Sequence, residues 1–327
     1  MATSMGYNEF FEVLTRSFFV VMKNSRMWDD CLVELDTQYR MHSQIAKPVS
    51  DIWYKGKLNN GPNTDDDTPE WLTMQKFLDT LRPAWNGRRI IAIDCSGSYS
   101  HCPGNGTSHV NDLEVDTLLR FADRAMKTVP PPGGVKLEPR HFLITTPYNA
   151  TKWEIITKGG ELGISQKGNR LDVQNTRAVQ GGQGIFNLIS FAKNKAGKPL
   201  SLGMVGDSHN LNVTLSRAMC LQVIFGNIAP WVQAVENQAP IVMRGGDLEY
   251  FGKVIESIHT NKDAIAMADL NSLMPIDEDA MAVEVKVPTF DAMIKTNEKG
   301  RAKKAKAATG VEKKSAFGRQ EQGVRRR

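Results

Sequence analysis

The sequence predicts an α/β protein built on a doubly wound, mainly parallel sheet with helices on both faces. Three observations carry this reading. Short apolar runs recur along the chain, stretches of helical spacing alternate with them, and Gly, Pro, Asn and Asp separate the two. A strand covered on both faces is apolar along most of its length, and the runs here are nearly continuous rather than alternating.

In chain order, Phe10, Phe11, Leu14, Phe18 and Val21 lie near helical spacing and predict an amphipathic helix over 7–23. The run Cys31–Leu35 (CLVEL) reads as a buried strand, and Ser43–Tyr54 as a helix with Ser43 as its N-cap. Residues 56–87 are rich in Gly, Asn, Asp and Pro and read as a loop or insertion, with a helical stretch from Trp71 to Leu81. The pattern then becomes regular. RIIAIDC (89–95) is a strand, and Asn111 to Lys127 a helix with Asn111 at the N-cap and Glu114 at the capping-box position. After the breaker Pro130-Pro-Pro-Gly-Gly134 come a strand (141–146), a helix (149–158) and strands at 171–176 and 186–192. A short helix (211–218) and an apolar strand (221–227) follow, then helical patterns at 231–236 and 248–259. The chain thus divides into a helical lead-in (1–30), an α/β domain (31–235), a helical extension (236–260) and a tail (261–327). Lys, Ala and Gly dominate the tail from Lys295, too little apolar surface to offset ordering, so disorder is expected there.

The formal charge of +5 is unevenly placed. From Asp291 onward there are 12 Lys or Arg against 4 Asp or Glu, so the rest of the chain is near neutral. Lys303, Lys304, Lys306, Lys313, Lys314 and Arg325 to Arg327 could add salt-sensitive phosphate contacts, serve as a nuclear address, or be a solvated end. Four scattered cysteines exclude a disulfide scaffold and point to a reducing, intracellular setting, nucleus or cytoplasm. Cys95, His101, Cys102 and His109 fit no zinc spacing, so no metal site is expected. The patch Phe18–Met22 is too short to span a bilayer and lacks the features of a signal peptide.

No GxxxxGK[S/T], GxGxxG or GxSxG is present, so nothing here cradles a β/γ-phosphate alone. Four ordered segments stand out instead, each expected at the carboxyl end of a strand, the edge where open α/β sheets bind ligands. They are Gln38-Tyr39-Arg40-Met41-His42; Thr145-Thr146-Pro147-Tyr148; Asn175-Thr176 leading to Gln180-Gly181-Gly182-Gln183; and Asn212-Val213-Thr214-Leu215-Ser216-Arg217-Ala218 before a strand ending Gly226-Asn227.

With LDTQYRMHS, SHVNDLEV, TPYNATK, VQGGQG and LNVTLSRA…VIFGN in this order, residues 8–235 resemble the C-terminal, second RecA-like domain of superfamily 1 helicases. The branch is that of the nonsense-mediated-decay RNA helicase and senataxin, whose pattern runs LxxQYRMHP, SxxNxxEA, TPYxxQ, QGxE and LNVALTRA. The resemblance implies that Arg40 and Arg217 reach ATP phosphates, with Arg217 as the arginine finger facing the first motor domain. It implies nucleotide contacts from Gln38, Tyr39, Gly181 and Gln183, with Tyr39 on the adenine, although core packing is an equal reading for that ring. Thr146, Pro147, Tyr148, Thr176 and Asn212 are implied as contacts to single-stranded RNA or DNA, and His42 as a shaper of its loop. ATP and Mg²⁺ are then expected only together with a first RecA-like domain that this sequence lacks. The departures are Gln183 for the QGxE glutamate, Ile185 for the acid after it, His209-Asn210 for an arginine pair, Ser216 for Thr and Lys152 for the glutamine of TPYxxQ. They leave open a binding module without ATPase activity.

Overall fold

The computed structural model describes residues 33 and 35–266, apart from 83–84, 86, 105, 167, 194–202 and 238–247. The helix expected at 7–23 and the basic tail lie outside the described residues. The elements run β1 (Thr37–Gln38), α1 (Ser43–Trp53), β2 (Asn59–Asn60), α2 (Pro69–Leu81), β3 (Ile90–Asp94) and α3 (Asp112–Lys127). Then come β4 (Phe142–Thr146), α4 (Asn149–Glu161), β5 (Asp172–Asn175), β6 (Gly184–Ser190), α5 (Ser208–Leu215) and β7 (Ala218–Gly226). The last are α6 (Ile228–Glu236), α7 (Leu248–Thr260) and β8 (Ala264–Ala266).

Six strands form one sheet in the order β5-β4-β6-β7-β3-β8, every neighbouring pair parallel. Because side chains alternate across a strand, each strand feeds two cores. Ile91, Ile93, Phe142, Ile144, Phe186, Leu188, Val223 and Phe225 pack with α2, α3 and α4 on one face. Ala92, Ile189 and Ile224 meet α1, α5, α6 and α7 on the other, around Ile45, Leu211, Trp231 and Phe251. The expected doubly wound parallel α/β fold is what the structure has. Among the described residues no helix is long and apolar enough to cross a membrane.

Four local differences have physical causes. Val33 and Leu35 are 82% and 89% exposed and outside any strand; pairing here is confined to Thr37–Gln38 against β2 in a two-stranded ladder apart from the main sheet. The N-cap of α1 is His42 rather than Ser43: its Nδ1 accepts from Gln44 N at 3.2 Å, while its own N–H is tied to the Met219 carbonyl at 2.8 Å. The 56–87 segment is no mere surface insertion. Thr68 caps α2, accepting from Trp71 N at 3.1 Å, Pro69 occupies the first turn, and Trp71, Met74, Phe77 and Leu78 enter the core. Beyond 261, Ala264–Ala266 adds an edge strand on β3, in register with Ala92–Asp94, where fading periodicity predicts disorder. Three residues are too few to show a period.

Candidate functional site

The four segments do not share one edge of the sheet. Thr146 and Asn175 end β4 and β5 at the carboxyl edge, whereas Gln183 stands just before β6 and Arg217 just before β7, at the amino edge. The expectation of a single carboxyl-edge site is therefore corrected to two corners. The cause lies in α5, which begins at Ser208 and stops at Leu215, returning the chain across one face so that Arg217 enters the next strand.

At the amino-edge corner, Gln38 organises its own turn. Its Oε1 accepts from Arg40 N (2.9 Å) and Met41 N (2.7 Å), and its Nε2 donates to Met41 O and Asn60 Oδ1 (both 2.7 Å). That turn aims Arg40, whose Nε donates to Gln183 Oε1 (3.0 Å) and whose Nη1 donates to Ser216 O (3.1 Å). Arg217 is buried, with Nε on Val213 O (2.8 Å), Nη1 on Gly182 O (3.0 Å) and Nη2 on Ser216 Oγ (3.1 Å). Burial and then the like charge of Arg40 lower its pKa, and the guanidinium stays charged. Both arginines therefore converge on Ser216. Gly181 supplies a backbone conformation, φ +89°, in the tight turn that carries Gly182 O to Arg217. Tyr39 is 69% exposed, which excludes core packing; one ring face lies on Gly61, where a methyl would overlap the ring. Gly61 is a residue that sequence reasoning missed, because it sits in the segment read as insertion.

At the carboxyl edge lies an open groove of about 710 Å³, lined among others by His109, Tyr148, Asn149, Asn175, Arg177 and Lys193. Of the residues expected there, Pro147 and Tyr148 line it, while Thr146 and Thr176 are buried. Thr176 N donates to Thr146 O (3.0 Å), and Thr214 Oγ1, which gives its proton to Asn210 O (2.8 Å), accepts from Thr176 Oγ1 (3.1 Å). Asn187 completes this buried chain, donating from Nδ2 to Thr214 O (2.9 Å) and accepting from Thr145 Oγ1 (3.1 Å). Both threonines thus brace the groove wall. Tyr148 is also mostly buried; its hydroxyl accepts from Met204 N (3.3 Å) and burial pushes its pKa up to about 12. Asn175 Nδ2 donates to Pro147 O (3.1 Å) and its Oδ1 accepts from Arg177 N (3.0 Å), which turns Arg177 outward. Asn212 does not join the groove: its Nδ2 reaches Tyr54 OH at 3.5 Å, under α1. Arg177, inside the third segment, and Lys193, in none, bring positive charge to the groove; the motif pattern names neither as a contact, and only a place after a strand end could have drawn attention to them.

The two corners are joined by α5. Asp207 and Asn210 at its start line the groove, and Val213 O and Ser216 at its end hold the arginines. His109 Nδ1 meets Cys102 Sγ at 3.7 Å and Ser100 Oγ at 3.2 Å. Among the described residues no three His, Cys, Asp or Glu side chains are grouped to hold a metal ion.

The protein family described as AAA domain matches residues 14–229. The chain is 26% identical over 198 residues to the ATP-dependent helicase NAM7 of Saccharomyces cerevisiae, covering 60% of this chain and 18% of that protein. It is 27% identical over 195 residues to the regulator of nonsense transcripts 1 homolog of Drosophila melanogaster (59% and 15%). Against helicase sen1 of Schizosaccharomyces pombe the identity is 26% over 232 residues (69% and 12%). The chain thus spans less than a fifth of the length of these relatives. The family match, the relatives and the doubly wound sheet agree: this chain belongs to the AAA-domain family of superfamily 1 helicase type, in the branch of the nonsense-transcript regulators and sen1.

Proposed function

We propose that this domain is the second motor domain of an ATP-dependent nucleic-acid helicase, presenting Arg40 and Arg217 to a nucleotide held by a first RecA-like domain outside this sequence. The observation that carries the reading is the convergence of both guanidinium groups on Ser216, at one corner of the sheet, at the end of the helix whose start lines the groove. The groups at this corner fit an anion approached from one side only. Two planar cations suit phosphate oxygens. When bound, ATP supplies the phosphoryl group and the transferring charge that Arg217 would stabilise; Mg²⁺ belongs with the absent half. Tyr39, with its free ring face, would flank the base, while Gln183 accepts from Arg40 and offers a nucleotide no charge.

The groove is the proposed track for single-stranded RNA or DNA. Arg177 and Lys193 would contact phosphates, and Asn149 and Asn175 would add hydrogen bonds to backbone or base. Steady-state ATP hydrolysis tests the reading. The chain alone hydrolyses nothing, and activity returns with a first RecA-like domain in trans and is lost again on Arg217→Ala. Hydrolysis by the chain alone would sink the proposal. One observation favours the alternative of a helicase-like binding module without ATPase activity: each arginine is already bonded within its own domain and the charged QGxE acceptor is absent. Under that reading, single-stranded nucleic acid binds and no first domain restores hydrolysis.

A further inference from the structure

Glu114 belongs to neither corner in sequence, yet the structure ties it to the groove. It is buried at the start of α3, beneath the ends of β3 and β6. Asn111 Oδ1 accepts from Glu114 N at 3.3 Å, as an N-cap should, but the carboxylate does not return to the cap backbone. Instead Oε2 accepts from Ser190 Oγ (2.7 Å) and Ala192 N (2.8 Å), and Oε1 accepts from Asn111 Nδ2 (3.2 Å). Ala192 has φ +57°, a backbone conformation disfavoured for a residue with a Cβ, and the bond from its N–H to the carboxylate helps to hold it there. The same turn gives Lys193 N to Phe191 O (2.6 Å) and delivers Lys193 to the groove, its side chain running past Gly203.

We propose that Glu114 is a positioning residue for the groove: it holds the turn after β6 that presents Lys193 to a phosphate backbone, and gain or loss of its proton tightens or loosens that turn. The link to phosphate rests on the groove being a nucleic-acid track; the hold on the turn does not. Among the described residues no cation pairs with the carboxylate. Burial pushes Glu114 up to about 7, outweighing the pull of Ser190, Ala192 and Asn111 in the other direction. From β3 it faces Cys95 and Asp94. Burial and these carboxylates push the Cys95 thiol up, so it stays neutral, while Asp94 accepts from Ser96 and Ala229 N.

The closed turn binds the Glu114 proton more tightly than an opened, hydrated one, so protonation favours closure. Closure is fully supported below the ordinary carboxylate range and weakens as pH rises from there through about 7. A protonated carboxyl keeps its place because the Ser190 hydroxyl can turn from donor to acceptor.

The test is amide exchange of the 190–193 segment in the full chain, corrected for intrinsic rate, with anisotropy binding of a single-stranded oligouridine, at about pH 5.5 and about pH 8. In the wild type, protection is greater at acid pH. The salt slope of binding falls by about one at alkaline pH, to the value of Lys193→Ala. Glu114→Gln, neutral throughout, keeps both protection and slope at either pH and has no effect on binding in a Lys193→Ala background. Ser190→Ala, which leaves the carboxyl in place, lowers protection at either pH. A Glu114→Gln variant with the wild-type pH dependence of exchange overturns the hold on the turn. An effect of Glu114→Gln on binding in the Lys193→Ala background overturns the route through Lys193. Wild type that binds no oligouridine at any pH overturns the groove reading, while the exchange result still decides the turn.

Discussion

The two corners of the sheet use the same kind of residue in opposite ways. At the amino edge the long cations point inward: Arg217 is buried on Val213 O, Gly182 O and Ser216 Oγ, and Arg40 leans on Gln183 and Ser216. At the carboxyl edge the polar residues of the motifs point inward and the cations outward. Thr146 and Thr176 are buried braces, and Arg177 and Lys193 line the groove. On the proposed reading, a corner that meets a nucleotide on another domain keeps its charges folded against its own backbone. A track for a flexible polyanion displays them. One helix, α5, contributes to both.

The largest expected effect lies in reconstituted ATP hydrolysis, where Arg217→Ala lowers kcat by about a thousandfold or more and Arg177→Ala leaves the nucleic-acid-independent rate unchanged. Equal losses at both corners would erase the distinction between them. Next is stability. Glu114 has a folded pKa raised to about 7 from 4.5, so its favourable contribution is complete below about pH 4.5 and is lost as pH rises through about 7. Denaturant titration should show Glu114→Gln matching the wild type near pH 4.5 and gaining up to about 3 kcal/mol on it above pH 7. A variant less stable than wild type at both ends would contradict this. Arg217→Ala removes three buried bonds and leaves their acceptors dry, at a cost of about 2–3 kcal/mol, whereas Arg40→Ala, half-exposed, costs about 1 kcal/mol or less. A comparably small effect is expected at Gly61. Gly61→Ala costs about 1 kcal/mol and moves the Tyr39 ring off its seat, which a crystal structure of the variant would show.

Much of this fold is legible in the sequence because strands buried on both faces must be apolar, and β3, β4, β6 and β7 are. The exceptions are instructive. Val33 and Leu35 are as apolar as a strand, yet among the described residues they stand exposed and unpaired with the sheet. The helical stretch expected at Trp71–Leu81 is present as α2, but the loop-like Gly and Asp content around it hid that Trp71 and Phe77 enter the core. At the sites, motif spacing found Arg40 and Arg217 but could not show which edge they occupy, since that depends on where α5 ends. It pointed to Thr146 and Thr176 as contacts, whereas their hydroxyls serve the fold. It missed Lys193 and Gly61, and read Glu114 as a local cap, because their roles arise from partners distant in sequence.

The division of labour between the corners is tested most directly by oligouridine binding to the full chain at low salt, comparing two charge reversals. Arg177→Glu should weaken binding at least roughly tenfold and reduce the salt slope, while Arg40→Glu should leave both near wild type. A chain whose binding survives Arg177→Glu and collapses with Arg40→Glu would contradict the account.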